Sequence, residues 1–284
     1  MDFEAQAIVL DGNSIMYRAY YATQKGKEEI KAEKEFAATL EAIRRTIKNI
    51  AATGGKYKYG VVAFDSSRKT FRREKFSEYK SNRISMPIPL ANNLNKIRNL
   101  FIKEGFVIVD APFPYEGDDV IATIIEIFSS SKVKTLVFST DRDLLQLVGK
   151  YVSVCLFKPM KPFVMHTEEN FESLNDGLKP NQIPFHKALS GDSSDNYKGL
   201  SGIGPITATS WLIKYGDIDN LYKNLDDLKP KQKQTLLDNK ETVSTFLELA
   251  LLVRNIDLSN NLKNYEFFSN KVDETDSGSR KSRE

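Results

Sequence analysis

The sequence predicts an α/β protein, a mostly parallel central sheet flanked by helices, with a helical C-terminal part. Three observations carry this. Short apolar, β-branched runs alternate with stretches of helical periodicity through the first 165 residues, the signature of βαβ units. After Pro180 the chain changes to helical stretches separated by Gly-rich turns. And three of the predicted strands end in an aspartate, Asp11, Asp65 and Asp141, at the strand ends where open parallel sheets bind ligands.

Taken in order, residues 5–10 read as a first strand, followed by helices over 15–21 and 36–50. A second strand at 60–64 and a helical stretch at 90–103 lead to a third strand at 106–109. A helix over 118–128 feeds a strand at 133–138, and a further strand surrounds Cys155 in the alternating run 151–157. Beyond Pro180, Pro205 stands at the first position of a helix reaching Tyr215. Two more helices are expected at 229–239 and 243–254. From 269 to 284 the chain has no apolar periodicity and is expected to be disordered. The division is an α/β unit over 1–165, a helical part over 166–268 and the tail.

Of 284 residues, 40% are hydrophobic and 28% charged, enough apolar content for a full-sized core. No run approaches the ~18 apolar residues of a membrane span, and the start lacks a secretory signal. The single cysteine, Cys155, excludes an internal disulfide and reads as buried packing; a cytoplasmic location is the expectation. With only His166 and His186, a zinc site is disfavoured. The net charge of +3 says little about partners, but its distribution says more. Between Arg68 and Arg83 seven basic residues face only Glu74 and Glu78, with Phe71, Phe76 and Tyr79 interleaved. Such a segment can neutralise phosphates and offer rings to unpaired bases, or be a solvated helix whose aromatics pack inward.

The acids form a set. To Asp11, Asp65 and Asp141 are added Glu116, Asp118 and Asp119 at a helix start, Asp143 two residues after Asp141, and Asp192 with Asp195. One or two acids at strand ends and helix starts are explained by capping, but nine are not. Asp192 and Asp195 would share one face if the chain there were helical. Carboxylates without accompanying His or Cys suit hard cations, Mg²⁺ or Mn²⁺. Two such ions about 4 Å apart can activate water and stabilise a leaving oxygen in phosphodiester hydrolysis.

The motifs Val9-Leu-Asp-Gly-Asn13, Tyr17-Arg-Ala-Tyr20, Thr70-Phe-Arg-Arg73, Tyr79-Lys-Ser-Asn-Arg83, Glu116-Gly-Asp-Asp-Val120, Ser139-Thr-Asp-Arg-Asp-Leu144 and Gly191-Asp-Ser-Ser-Asp-Asn196 occur in this order. Together they resemble the 5′→3′ exonuclease domain of bacterial DNA polymerase I, within the flap endonuclease (5′ nuclease) family. The resemblance runs from about residue 7 to 262. It implies that Asp11, Asp65, Glu116, Asp118 and Asp119 belong to a first metal region, and Asp141, Asp143, Asp192 and Asp195 to the rest. It implies two or more Mg²⁺ ions, with Mn²⁺ able to substitute. It further implies a helical arch over about 66–90, in which Lys80 and Arg83 contact the scissile phosphate with Arg18 assisting. Tyr79 is then a candidate stacking platform for an end base, and Arg72 a phosphate support. A helix-hairpin-helix over about 185–215 would hold duplex phosphate through Gly199, Gly202 and Gly204. Lys198 stands where relatives often have proline, and the segment Met86-Pro-Ile-Pro89 lacks an acid often found there.

The resemblance therefore implies a structure-selective nuclease acting on DNA with 5′ flaps or 5′ ends, and on RNA primers paired to DNA, in replication and repair. A stand-alone monomer without membrane contact is expected, since no polymerase domain follows residue 284. Three other readings compete. A junction-binding module that does not cut would gain nothing from nine acids facing a polyanion. A PIN-like ribonuclease would need neither a basic arch nor a hairpin after Asp195. A phosphatase with an Asp nucleophile would need motifs that do not accompany Asp141 and Asp143.

Overall fold

Five strands form where the apolar runs predict them, and a sixth is added at one edge. The structure is a computed structural model describing residues 4–24, 33–53, 56–158 and 162–268, so the expected tail lies outside the described residues. The strands are β1 (Ala7–Asp11), β2 (Tyr59–Phe64), β3 (Val107–Asp110), β4 (Thr135–Ser139), β5 (Val152–Leu156) and β6 (Val164–His166). They stand in the order β3-β2-β1-β4-β5-β6. All neighbours are parallel except the short β6, which runs antiparallel to β5. Because β1 pairs with both β2 and β4, the winding direction reverses there. The crevice beyond the carboxyl ends of β1 and β4 is where such sheets bind ligands.

β1, β2, β4 and β5 are buried along their whole length, because helices cover both faces of the sheet. Alternate residues of β1 serve the two sides. Ile8 and Leu10 pack with α1 (Gly12–Gln24), α2 (Glu33–Ala51) and, further along the chain, the helix Leu94–Lys103. In α2 the inward stripe is Phe36, Leu40, Ile43, Ile47 and Ile50, the three-and-four spacing of one helix face. Burying each such large side chain contributes about 1.5–3 kcal/mol.

The expected arch segment is helical only in α3 (Phe71–Lys75) and α4 (Ile88–Asn92), the latter preceding α5 (Leu94–Lys103). The chain between α3 and α4 makes turns and lies down on the protein, with Phe76 against Phe246 at 5.7 Å and Tyr79 buried. On this second face Ala7 and Val9 pack with α6 (Gly117–Ser130) and with the C-terminal helices in one continuous core.

After α7 (Phe171–Leu174), helix α8 (Ile183–Ser190) runs into a two-stranded hairpin, β7 (Gly191–Asp192) and β8 (Tyr197–Lys198). Four helices follow: α9 (Pro205–Tyr215), α10 (Ile218–Lys223), α11 (Pro230–Asp238) and α12 (Lys240–Ala250). The chain then returns to the sheet, where Glu266 bridges Tyr59 and Phe267 stacks edge-on against Phe106 at 4.9 Å. Among the described residues no helix is long and apolar enough to cross a membrane.

Candidate active site

Asp11, Asp65, Glu116, Asp118 and Asp141 line one cleft of about 620 Å³ at the carboxyl edge of the sheet. Asp11 ends β1 and accepts hydrogen bonds from the Ser14 amide (2.9 Å) and from the hydroxyls of Ser139 (2.6 Å) and Ser14. Asp65 follows β2 and accepts from the Gly117 amide at 2.6 Å and from Asn13. Asp141 follows β4 and caps the 3₁₀ turn Arg142–Leu147 by accepting from the Asp143 amide at 2.9 Å. Asp11 and Asp141 thus do cap, as the simplest explanation of such acids expects. Asp118, in the first turn of α6, is different. Withdrawal from water holds its carboxyl well above the usual carboxylate range, with Asp141 and Asp11 adding repulsion. Burial likewise raises Asp11 and Asp65.

Asp143, Asp192 and Asp195 form a tighter group beside the cleft, with one carboxylate oxygen of each within 4.8 Å of the others. Asp192 closes β7 and Asp195 lies in the turn before β8, so a hairpin turn, not a helical one, places both on one side. That turn depends on a close backbone approach at its base. Gly191 has φ +83°, and a Cβ on Gly199 would lie 2.2 Å from the Ser190 carbonyl, so neither position accepts a side chain. Lys187 of α8 ion-pairs with both Asp143 and Asp192, and Arg83 pairs with Asp195 at 2.9 Å. Burial and Asp141 push Asp143 up to about 7 despite Lys187. Burial also raises Asp195, against the pull of Lys80 and Lys187. At Asp192 the burial effect is overcome by Lys187, and its carboxyl is held below the usual range.

Two predicted cations stand over these acids. Lys80 donates to Glu116 at 2.8 Å, and its amide donates to the Asp195 carbonyl at 3.0 Å. Its φ of +52° is a sparsely populated conformation for a side-chain-bearing residue, the kind of local strain that clusters at functional sites. Burial works against charge on Lys80, but Glu116 and Asp195 outweigh it and raise its pKa. Glu116, for its part, is held below its ordinary value by Lys80 and Arg72 against the effect of burial.

Several of the residues named from the sequence are engaged by other partners in this structure. Arg72 is only 1% exposed; it makes a bidentate pair with Asp119 (2.6 and 2.7 Å) and donates to the carbonyls of Leu249 and Leu251. Its charge and donors are consumed internally, so it does not reach a phosphate. Asp119 is equally committed: besides Arg72 it accepts from the amides of Glu116 (3.0 Å) and Val253 (2.9 Å), which leaves no lone pair facing a metal. Tyr79 is 3% exposed, its hydroxyl donates to Glu116, and Lys80 lies 4.8 Å from its ring centre. Its ring borders the cleft with little of its surface exposed. Arg18 lies over the ring of Phe157 at 4.8 Å, outside the cleft lining. Gly199 serves the hairpin closure, whereas Gly202 (φ +77°) and Gly204, at the start of α9, face open space.

Other residues enter the site unannounced. Ser14 and Ser139 orient Asp11, and Tyr17 and Tyr21 line the cleft with rings stacked at 6.3 Å. Lys187 had a readable signal. It follows Ile183 by one helical turn on a face shared with the buried Pro184 and Ala188, so a lone cation there calls for acids opposite it.

Oxygen donors gathered at a sheet edge, with cations above them, make a place for hard metal ions and an anionic ester. Comparison with known proteins agrees with that class. Residues 6–175 match the model of the "5'-3' exonuclease, N-terminal resolvase-like domain", and residues 178–273 that of the "5'-3' exonuclease, C-terminal SAM fold". A 5′-3′ exonuclease of Mycoplasma genitalium is 38% identical over 260 residues, covering 90% of this chain and 88% of that protein. One from Aquifex aeolicus is 32% identical, covering 88% and 82%. DNA polymerase I of Mycobacterium tuberculosis is 34% identical over 89% of this chain, but over only 28% of its own length. Among solved structures, a T5 5′-exonuclease with bound divalent metal ions (zinc) superposes with a TM-score of 0.66 at 22% identity, covering 87% of this chain and 89% of that one. The catalytic core of Rad2 in complex with a DNA substrate gives 0.57 at 17%, covering 91% and 81%. The chain belongs to the 5′-3′ exonuclease family and is a nuclease.

Proposed function

We propose that this chain is a structure-selective 5′ nuclease, a 5′→3′ exonuclease and flap endonuclease that hydrolyses DNA phosphodiesters near 5′ ends and flaps with Mg²⁺. The observation that carries this is the convergence of Asp11, Asp65, Asp118 and Asp141 in one cleft, with Lys80 and Arg83 beside it and the Asp143, Asp192 and Asp195 group adjoining. The donors fit hard divalent cations: they are all carboxylates, and their charge is costly where it stands. Two bound cations would supply an activated water and charge compensation at the leaving oxygen. The chain's own residues hold and orient. Ser14 and Ser139 fix the Asp11 carboxylate, Asn13 and the Gly117 amide fix Asp65, and Lys80 and Arg83 offset the charge that develops on the phosphate. The exposed turn at Gly202 and Gly204 before α9 supports a role in holding duplex backbone without reading sequence.

On this reading the nuclease core is 1–165 with its basic segment at 66–90, and residues 166–268 contribute duplex binding. A monomer that trims flaps and primers, including RNA paired to DNA, in replication and repair fits the same geometry. The test is a cleavage time course on a 5′-labelled DNA flap in Mg²⁺, Ca²⁺ or EDTA, beside a binding titration. Cutting at the flap junction in Mg²⁺, with binding but no cutting in Ca²⁺, is the expected result. Binding without cutting in either Mg²⁺ or Mn²⁺ would replace it with the junction-binding module.

A further inference from the structure

We infer that Lys187 is a resident cation of the second carboxylate group, and that a divalent ion enters between Asp143 and Asp192 only as the Lys187 ammonium withdraws. The inference rests on the metal-dependent reading above and concerns this chain's own device for setting metal affinity.

The geometry is specific to this lysine. Arg83 and Lys80 each approach the acids from the basic segment and pair with one carboxylate, Asp195 and Glu116 respectively. Lys187 comes from beneath, on α8, and its Nζ bridges two acids of the same group. Those two acids, with Asp195, are the ones whose oxygens gather within 4.8 Å. The ammonium therefore stands among the very donors that a divalent ion would use. Its side chain is 16% exposed, and its stem emerges from a buried helical stripe, so its position is dictated by the fold and not by chance contact at a surface.

Two cations cannot share that space, because their mutual repulsion is poorly screened away from water. Withdrawal needs no movement of the backbone. α8 is held at its end by the Gly191 and Gly199 approach, while the flexible four-carbon stem of lysine can swing. A ligand that must displace an internal competitor binds more weakly by the stability of the contact it replaces. The second group thus takes a divalent ion less readily than Asp11, Asp65, Asp118 and Asp141, which have no ion pair among the described residues, Lys80 being held on Glu116 alone.

The experiment counts Mn²⁺ bound to the full chain without DNA, by electron paramagnetic resonance and calorimetry, in wild type, Lys187→Met and Lys187→Gln. Glutamine keeps a hydrogen-bond donor for the acids, so it carries the test where the methionine variant fails to fold. Removal of the ammonium is expected to tighten the weaker Mn²⁺ by about tenfold or more, within the ordinary range of coupling between sites, and to leave the tighter Mn²⁺ unchanged. An unchanged or weakened second Mn²⁺ overturns the inference while leaving the metal-dependent reading standing. A flat titration in all three proteins removes both, and so separates the two failures.

Discussion

The two carboxylate groups of this site solve the same electrostatic problem in opposite ways. Asp11, Asp65 and Asp141 are oriented by hydroxyls, amides and one asparagine, and neither they nor Asp118 have a salt bridge among the described residues. Asp143, Asp192 and Asp195 are tied directly to Lys187 and Arg83. Asp119 completes the series as an acid consumed by Arg72 and two backbone amides. Aspartates close in space thus range from uncompensated to fully neutralised. The protein places its cost of burying charge where an external ion can relieve it, and places its own cations where register must be kept.

The strongest way to break this contrast is to neutralise the first group. Asp118→Asn is expected to lower Mg²⁺-dependent cleavage by about 10³-fold, the scale of losing one well-placed electrostatic group. It should also make the metal-free protein more stable at pH 8, because a carboxyl with a raised pKa opposes folding once the pH exceeds its unfolded value. Cleavage at the wild-type rate would remove Asp118 from the site. Next in size, Arg72→Met leaves Asp119 buried without its partner, and a loss of about 3–5 kcal/mol is expected in urea unfolding. Arg72→Met combined with Asp119→Asn, which removes the buried charge and keeps an acceptor for the Glu116 and Val253 amides, should recover part of that. If the double variant is no more stable than the single one, the pair is not the source of the cost.

Ca²⁺ at a hundredfold excess over its dissociation constant should stabilise the wild type by about 2.7 kcal/mol, read as a shift in melting temperature. The shift should shrink in Asp118→Asn, and an equal shift in both proteins would place the ion elsewhere. The smallest effect lies behind the second group. His166 accepts a hydrogen bond from Asn175, which itself accepts from Arg142, between Asp141 and Asp143. Burial, with Arg142 and Lys158 adding repulsion, lowers its pKa from 6.5 to about 4. The unfolded chain therefore takes up a proton before the folded one does, and stability is lost as pH falls from 6.5 toward 4. Denaturation curves across this window should be less steep in pH for His166→Gln; the same slope as wild type would show that another group governs it.

Much of this was legible from residue order alone. Acids at the ends of apolar runs gave the sheet edge, and the ordered motifs named acids of which five line one cleft and three gather beside it. What the sequence pattern does not reveal is where a charge is spent. Arg72 and its carbonyl partner Leu249 are 177 residues apart, and Tyr79 meets Glu116 across 37. A basic, aromatic segment reads as a nucleic-acid surface until those distant partners are seen to absorb its donors and rings. The three-residue β6 was missed because an edge strand that short has no period to detect. Asp192 and Asp195 were readable as a pair, but not as a hairpin turn, since that geometry rests on the Gly191 and Gly199 approach.

The return of the chain to Tyr59 has a practical consequence. Tyr59 opens β2, so residues 266–268 lie at the amino end of a parallel strand, about 15–20 Å of strand length from the acids at its other end. The first described residues, leading into Ala7 of β1, lie at the same end. Any domain, tag or surface tether joined at either point is carried behind the sheet, and long nucleic acid can approach the cleft without passing it. Attachment to a solid support through residue 268 should therefore preserve access to the cleft.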